Sequence, residues 1–298
     1  MNKLQHSESA TKRALGMSRY QLFVFVEGVS DLSFYSAICD KVCDKVKFHI
    51  YPANEHPFLK EEMEESDIEN TSGKKGIVFL FERFREKKLL TIDFQGEKKV
   101  VIFFLDKDVD DLLETQIFSE HVVYTKYYTL ENHVFVEGDI ITGVAITASM
   151  TTQQVREIIE SSHDWRRKIA KKWLDYVKLC FFVRKFEKSV KERPEEWEKW
   201  TCRYSKPPAE FEKNCYQTYV SSEDYSTISQ SIEHLYDCGE HDVVFNGKWY
   251  AHLLRKELPK TGNHSELLNC IQATLDFNAA WAEHFKQPLR KLLAKINL

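Results

Sequence analysis

Six consecutive apolar residues, Val100-Val-Ile-Phe-Phe-Leu105, run straight into Asp106-Lys-Asp108-Val-Asp110-Asp111, four acids in six positions. A short run rich in β-branched and aromatic side chains predicts a strand covered on both faces, the situation of interior strands in a mostly parallel sheet with helices on each side. The abrupt change to carboxylates marks the place where that strand leaves the core. Desolvating such a cluster without a cation is unfavourable, so the acids form either a hydrated loop or a site for a divalent ion.

The flanking sequence repeats the pattern. Residues 20–26 form a β-rich run ending on Glu27-Gly28, and residues 31–42 carry Leu32, Phe34, Tyr35 and Ile38 at helical spacing. Residues 47–51 predict a second strand, 76–88 a helix, 111–118 a helix and 122–130 a further strand, with an acidic surface loop at 55–69. Strands alternating with helices imply an α/β fold with a mostly parallel sheet and flanking helices. Beyond residue 151 the texture is helical up to Pro207-Pro208, residues 242–245 predict a last strand, and helices follow at 249–258 and from 266 to 296, broken at Pro288. The expected organisation is an α/β domain over 1–148, a helical insert over 149–238, and completion of the α/β domain with C-terminal helices over 239–298.

With 298 residues, 43% apolar and 30% charged, the chain has the composition of a globular protein and not of a fibrous or disordered one. No apolar run approaches the roughly 18 residues of a membrane helix. The first 18 residues lack the apolar stretch of a secretory signal. Seven scattered cysteines without a Cys-x-x-Cys pair suit a reducing cytoplasm better than a disulfide or zinc framework, and Cys39 and Cys43 read as buried structural thiols. A net charge of -4 argues against non-specific nucleic-acid coating, yet it conceals local opposites. Residues 166–193 hold eleven basic side chains against three acids. Ile169, Trp173, Val177, Phe181 and Phe182 recur there every three to four positions, so one face is expected to be buried and the other positive. Arg166, Arg167, Lys171, Lys172, Lys178, Arg184 and Lys185 are the candidates for a phosphate-backbone groove, with a merely solvated charged face as the alternative. The aromatic residues Trp165, Trp173, Trp197, Trp200, Tyr204, Tyr216 and Tyr219 could stack on unpaired bases, although core packing accounts for most of them.

Three expected strand ends deliver carboxylates: Glu27, then Asp106 and Asp108, then Glu131. Ligands of open parallel sheets bind beyond the carboxyl ends of the strands, so these side chains are expected to converge there, with Asp31 one helical turn after Glu27. Oxygen donors without neighbouring His or Cys favour Mg²⁺ or Mn²⁺ over zinc. One or two such ions serve phosphodiester cleavage by polarising the phosphate and activating water.

Val26-Glu27-Gly28-Val-Ser-Asp31, Leu105-Asp106-Lys-Asp108 and Leu130-Glu131-Asn132, in that order, resemble the Toprim signature as used in OLD-type nucleases. The resemblance covers about 18–145 and 240–258. It implies a Toprim-like fold in which Glu27 serves as metal ligand or general acid/base, Asp106 and Asp108 as catalytic metal ligands, and Asp31 and Glu131 as further ligands. It also matches Gly247-Lys248 to a late Gly-Lys element whose lysine stabilises charge on the phosphate. OLD nucleases carry an ABC-type ATPase, and this chain has no Gly-x-x-x-x-Gly-Lys-Ser/Thr; Ser72-Gly73-Lys74-Lys75-Gly76 has the wrong spacing. A stand-alone Toprim chain with a helical insert is similar to the AriB-like effectors of PARIS anti-phage systems. That similarity implies a homodimeric nuclease that cuts tRNA, is held inactive by a separate AriA-like ABC-type ATPase acting as inhibitor and sensor, and is released when a phage anti-restriction protein is sensed. Lys107 departs from the pattern, which often has a small residue there.

Two rivals are disfavoured by order. An Asp-x-Asp phosphatase of the haloacid-dehalogenase type and a receiver domain both place their acidic pair at strand one, where this chain has Glu27. A DNA-cleaving OLD-like nuclease and a non-catalytic Toprim-like binding or regulatory subunit stay open, because fold alone does not decide chemistry.

Overall fold

A computed structural model of the protein describes residues 8–52, 73–110, 112–159, 162–186, 223–258 and 263–296. The expected acidic loop at 55–69, Asp111, the basic residues Lys188, Lys191 and Arg193, Pro207-Pro208 and the aromatics Trp197, Trp200, Tyr204, Tyr216 and Tyr219 lie outside the described residues. The chain divides into two compact units, the first made of 1–106, 117–125 and 277–298, the second of 107–116 and 126–276.

The first unit is built on a five-stranded sheet, mostly parallel as the sequence predicts: β1 (Leu22–Val26), β2 (Phe48–Pro52), β3 (Thr91–Phe94), which the sequence pattern did not show, β4 (Glu97–Leu105) and β5 (Val122–Tyr124). β1 pairs in parallel with β2 on one side and with β4 on the other, and β5 lies parallel to β4. Only β3 is antiparallel, joined to β4 by the two-residue turn Gln95-Gly96, both with positive φ (55° and 84°), the left-handed pair that a tight hairpin requires. The strongest apolar run is indeed the central strand: every residue from Val100 to Leu105 is buried.

Alternation along β1 and β4 sends side chains to two faces. One face packs Phe23, Phe25, Val101 and Phe103 against Ile77, Leu80, Phe81 and Phe84 of α3 (Lys74–Glu86) and Leu15 of α1 (Glu8–Met17). On the other, Phe104 stacks on Tyr35 of α2 (Leu32–Asp40), ring centroids 4.3 Å apart. Phe285 of the C-terminal helix α12 (Glu283–Ile296) meets the edge of Phe104, and Phe34 contacts Phe277, Trp281 and Phe285. The last segment of the chain therefore completes the core of the first sheet. Cys39 and Cys43 are buried, and the hydrogen bond with Cys43, followed by burial, raises the Cys39 thiol far above its ordinary range.

The second unit is helical: α4 (Leu130–Glu137), α5 (Ile140–Ala148), α6 (Thr152–Ile158), α7 (Ser162–Lys172), α8 (Leu174–Phe186), α9 (Glu223–Asp237), α10 (Gly247–Glu257) and α11 (His264–Gln272). Four expectations from the sequence are overturned in the fold. The strand expected at 242–245 is a 3₁₀ turn, His241–Val243, leading into α10. The strand expected to continue to residue 130 stops at Tyr124, and Thr129 caps α4 instead, its N–H donating to Asn132 Oδ1 at 3.0 Å. No helix forms over the described residues 112–118. Asp110 draws the chain into a turn by accepting Thr115 N–H on its carbonyl at 2.8 Å and the Thr115 hydroxyl on its carboxylate at 3.2 Å, and Glu114 has a positive φ of 54°. Pro288 does not break the last helix; it sits inside α12.

Candidate functional site

In the first unit, the strand order creates a switch point. The chain leaves β1 toward β2 on one side, and leaves β4 toward β5 on the other, while β1 and β4 are themselves neighbours. Connections diverging from adjacent parallel strands open a crevice at their carboxyl ends, where no loop crosses. Glu27 follows β1 and Asp106 follows β4, so both acids sit at that point. They are joined directly: Glu27 Oε1 accepts the main-chain N–H of Asp106 at 2.8 Å.

Asp31 ends the 3₁₀ turn Val29–Asp31 that follows β1. Its Oδ2 accepts the Gly28 N–H at 3.0 Å and its Oδ1 accepts the Ser30 hydroxyl at 2.9 Å, which folds the Glu27-Gly28 turn back on itself. Glu27, Asp31 and Asp106 thus occupy one edge of one sheet. Lys74, first residue of α3, donates its ammonium to the Asp106 carbonyl. Sequence reasoning missed this residue because it weighed the Ser72-to-Gly76 stretch only as a P-loop.

The other expected residues belong to the second unit. Asp108 has φ 49°, a left-handed conformation that Asp tolerates better than most side chains and that is over-represented at functional sites. Its N–H donates to the Tyr128 carbonyl at 2.7 Å, and the Tyr128 N–H donates to the Asp242 carbonyl at 2.9 Å. Glu131 lies in the first turn of α4 and not at a strand end. Its Oε1 is 3.9 Å from Lys248 Nζ, and its Oε2 is buried with no hydrogen-bond partner.

What unites Glu131 with Lys248, 117 positions apart in the chain, is Asn132. This residue is fully buried (0% exposed) and uses every group it has. Its Oδ1 accepts the N–H groups of Thr129 and Gly247, both at 3.0 Å, and its Nδ2 donates to the Phe245 carbonyl at 2.9 Å and to Asp242 Oδ1 at 3.3 Å. Gly247 fits so closely that a Cβ there would lie 2.4 Å from the Asn132 nitrogen. Asn246 caps α10 by accepting the Lys248 N–H at 3.0 Å. The Glu131-Asn132 and Gly247-Lys248 pairs are therefore one clamp. Sequence reasoning quoted Asn132 without giving it a role; its partners are too far away in the chain to be read from spacing.

Beneath the clamp lies a buried polar group of side chains. Tyr250 donates to Asp242 Oδ1 at 2.9 Å, and Arg166 Nε stands 3.8 Å from Asp242 Oδ2. Burial, reinforced by the Asp242 charge, raises the Tyr250 phenol well above its usual range. Burial also lowers the imidazole pKa of His241, outweighing the opposing effect of Asp242.

The basic residues divide in two. Arg167, Lys171, Lys172 and Lys185 are exposed and Arg184 is half-buried. Arg166 and Lys178 are 5% and 6% exposed: Arg166 donates to the Phe135 carbonyl at 2.5 Å, and Lys178 is ion-paired with Glu233. These two point inward because their helices also supply Trp165, Ile169, Tyr176 and Phe181 to the core, and the shared face is satisfied internally.

Among the described residues, no group of three or more His, Cys, Asp or Glu side chains is gathered closely enough to hold a metal ion. The donor chemistry nevertheless fits a hard divalent cation. The candidates are all carboxylates, each offers about four lone-pair directions so that one hydrogen bond does not exhaust it, and Glu131 presents a buried oxygen lacking any partner. Among the described residues no helix is long and apolar enough to cross a membrane. Compared with known proteins, the chain matches no family model and no curated protein.

Proposed function

We propose that the protein is a Toprim-type, Mg²⁺-dependent nuclease, with RNA as the first-choice substrate. The observation that carries this reading is the switch point: the two neighbouring strands whose connections diverge end on Glu27 and Asp106, which are hydrogen-bonded to each other. In the first unit Glu27, Asp31 and Asp106 would hold the ion; in the second, Asp108 and Glu131 have the ligand roles that the Toprim resemblance implies. A bound Mg²⁺, or Mn²⁺, supplies charge neutralisation at the phosphate and lowers the pKa of water.

The chain's own residues do the rest. Glu27 would serve either as an ion ligand or as the general acid/base that exchanges a proton with the attacking water; the hydrogen bond of its Oε1 to the Asp106 N–H and the Gly28-Asp31 turn that fixes its backbone support that role. Lys248 is held by Asn132 and Asn246 to offer positive charge to a phosphate oxygen. The exposed cations of α7 and α8 (Arg167, Lys171, Lys172, Arg184 and Lys185) suit a nucleic-acid backbone.

The biological setting follows the same resemblance: a toxic, homodimeric effector of anti-phage defence in the cytoplasm, restrained by a separate AriA-like ATPase and released indirectly by a phage anti-restriction protein, with tRNA as target and DNA as the alternative. A second reading, a Toprim-like subunit that binds without cleaving, is favoured by the absence of a gathered metal cluster among the described residues. One experiment separates them. Expressed without a partner, the wild-type chain is expected to generate new RNA ends, mapped by end sequencing, while Glu27→Gln and Asp108→Asn lower cleavage at least about 100-fold with an unchanged thermal midpoint. Full activity in Glu27→Gln overturns the catalytic assignment; no new RNA or DNA ends from the wild type leaves the binding reading.

A further inference from the structure

We infer that the first unit holds a binding site for a nucleoside phosphate, in a cavity at the end of β1 opposite to Glu27. The cavity measures about 360 Å³ and is lined by Arg19, Tyr20, Val46, Lys47 and Phe48, a size at the lower end of the range for small-molecule sites. Tyr20 precedes β1 and Glu27 follows it, seven positions later. At about 3.3 Å per residue the extended chain between them covers roughly 20 Å, so the site is separate from the carboxylates and independent of the nuclease reading. The Lys47 carbonyl accepts the N–H of Gln21 at 2.8 Å and that of Leu22 at 3.2 Å, which ties the segment before β2 to the start of β1 and fixes the two walls against each other. Arg19 lies over the Tyr20 ring, its guanidinium carbon 5.0 Å from the centroid, and donates to the Tyr20 hydroxyl at 2.9 Å. The Tyr20 ring in turn meets that of His49 in β2, with centroids 4.9 Å apart.

Two cations line this cavity and no carboxylate answers them. Among the described residues the Lys47 side chain makes no ion pair or hydrogen bond, and Arg19 makes no hydrogen bond besides the one to Tyr20. One of the five guanidinium N–H donors is used, which leaves four for an anion together with the three of the ammonium. The Arg19 charge is also felt within the fold: burial and, after it, that charge lower the His49 imidazole. A phosphate dianion suits such a pair, taking paired hydrogen bonds from the guanidinium and a point charge from the ammonium. Val46 and Phe48 make the rest of the wall apolar, and Phe48 has no ring partner among the described residues, so a flat ring can lie on it. A bare phosphate leaves that wall uncovered, and an uncharged aromatic leaves the cations unanswered. A nucleoside phosphate joins the two features in one molecule.

The test titrates AMP, adenosine and inorganic phosphate into the full chain by calorimetry, with EDTA present so that no metal draws the nucleotide to the carboxylates. AMP is expected to bind at least about 10-fold more tightly than either fragment. Arg19→Met and Lys47→Met should each weaken AMP about 10-fold, the loss of one charge-assisted contact, without moving the thermal midpoint of the unliganded protein, because both side chains are exposed. Phe48→Leu should bring AMP down toward the affinity of phosphate alone. A second readout sits at His49, whose ring signal is identified by its loss in His49→Gln. With AMP bound it is expected to titrate at higher pH, because the phosphate offsets the Arg19 charge. AMP that binds no tighter than phosphate, or that keeps full affinity in both Arg19→Met and Lys47→Met, overturns the inference. A His49 signal unmoved by saturating AMP places the nucleotide elsewhere and overturns it as well.

Discussion

At the scale of single residues, the acids were legible and their supports were not. Glu27 and Asp106 announce themselves because an apolar strand ending in a carboxylate is a local event. Asn132 and Lys74 act through partners 115 and 32 positions away, Gly247 and Asp106, and no local pattern encodes such pairing. Asn132 shows what this costs to disturb. Its removal strands the N–H groups of Thr129 and Gly247 and the Phe245 carbonyl inside the protein, each a buried polar group without a partner. Gly247→Ala attacks the same clamp from the other side, since the new methyl would meet the Asn132 backbone at 2.4 Å, where nothing flexible can yield. We expect Asn132→Ala and Gly247→Ala each to lower stability by about 3 kcal/mol in urea unfolding. Any folded fraction should lose activity as Lys248 drifts from Glu131. A Gly247→Ala protein with wild-type stability and turnover would show that the clamp is not needed.

Among the elements, the reading from pattern succeeded where burial was strong and failed where turn chemistry decided. The central strand β4 and helices α2, α3 and α10 follow from apolar periodicity. β3 escaped notice because Gln95-Gly96 is not the usual Asn-Gly hairpin signal, although both residues adopt the required left-handed conformation. The apparent strand at 242–245 is apolar for another reason: Val244 and Phe245 fill the core around Trp249 while Asp242 and His241 turn into a buried polar network. Helix α7 shows the same limit within one element, for Arg166 is interior and Arg167, Lys168, Lys171 and Lys172 are outside. Reversing Arg167, Lys168, Lys171 and Lys172 to Glu is therefore expected to leave the thermal midpoint unchanged, to weaken RNA binding, and to flatten the slope of log affinity against log salt by about 0.7 per lost phosphate contact. Arg166→Met should do the reverse, costing about 3 kcal/mol by depriving buried Asp242 of its cation while leaving the salt slope as it was. Equal salt slopes for wild type and the fourfold reversal would remove α7 from the substrate interface.

For the molecule as a whole, the sequence showed a sheet region and a helical region but not how often the chain passes between units. It does so at 106/107, 116/117, 125/126 and 276/277, and the last passage returns α12 to the sheet of the first unit. Groups whose protonation changes on folding set the response of each unit to acid. In the second unit, burial lowers the pKa of His241 below its ordinary 6.5. A depressed imidazole is neutral in the fold but protonated in the unfolded chain once pH falls below 6.5, so the unfolded state binds more protons there. The stability that neutral His241 represents is complete above 6.5 and is lost as pH falls from there to its folded value. In the first unit, burial and then the nearby Arg19 charge lower the His49 imidazole in the same direction, and two carboxylates are lowered as well: Glu120, hydrogen-bonded to Lys295, and Glu283, hydrogen-bonded to Arg290. The carboxylates' contribution is complete above the ordinary 4.5 and is lost only below it. Both are solvent-screened, so that loss is small. Acidification from pH 7 to about 5.5 is therefore expected to weaken the second unit through buried His241, and the first through His49, which is only half-buried. Hydrogen exchange followed by mass spectrometry, corrected for the intrinsic pH dependence of exchange, should show protection falling in α4, α9 and α10. His241→Gln should abolish that fall and leave the response of β1 and β2 as it was, because glutamine has no proton to bind in either state. An unchanged loss of protection in α4, α9 and α10 of His241→Gln would mean that another group governs the acid response of the second unit.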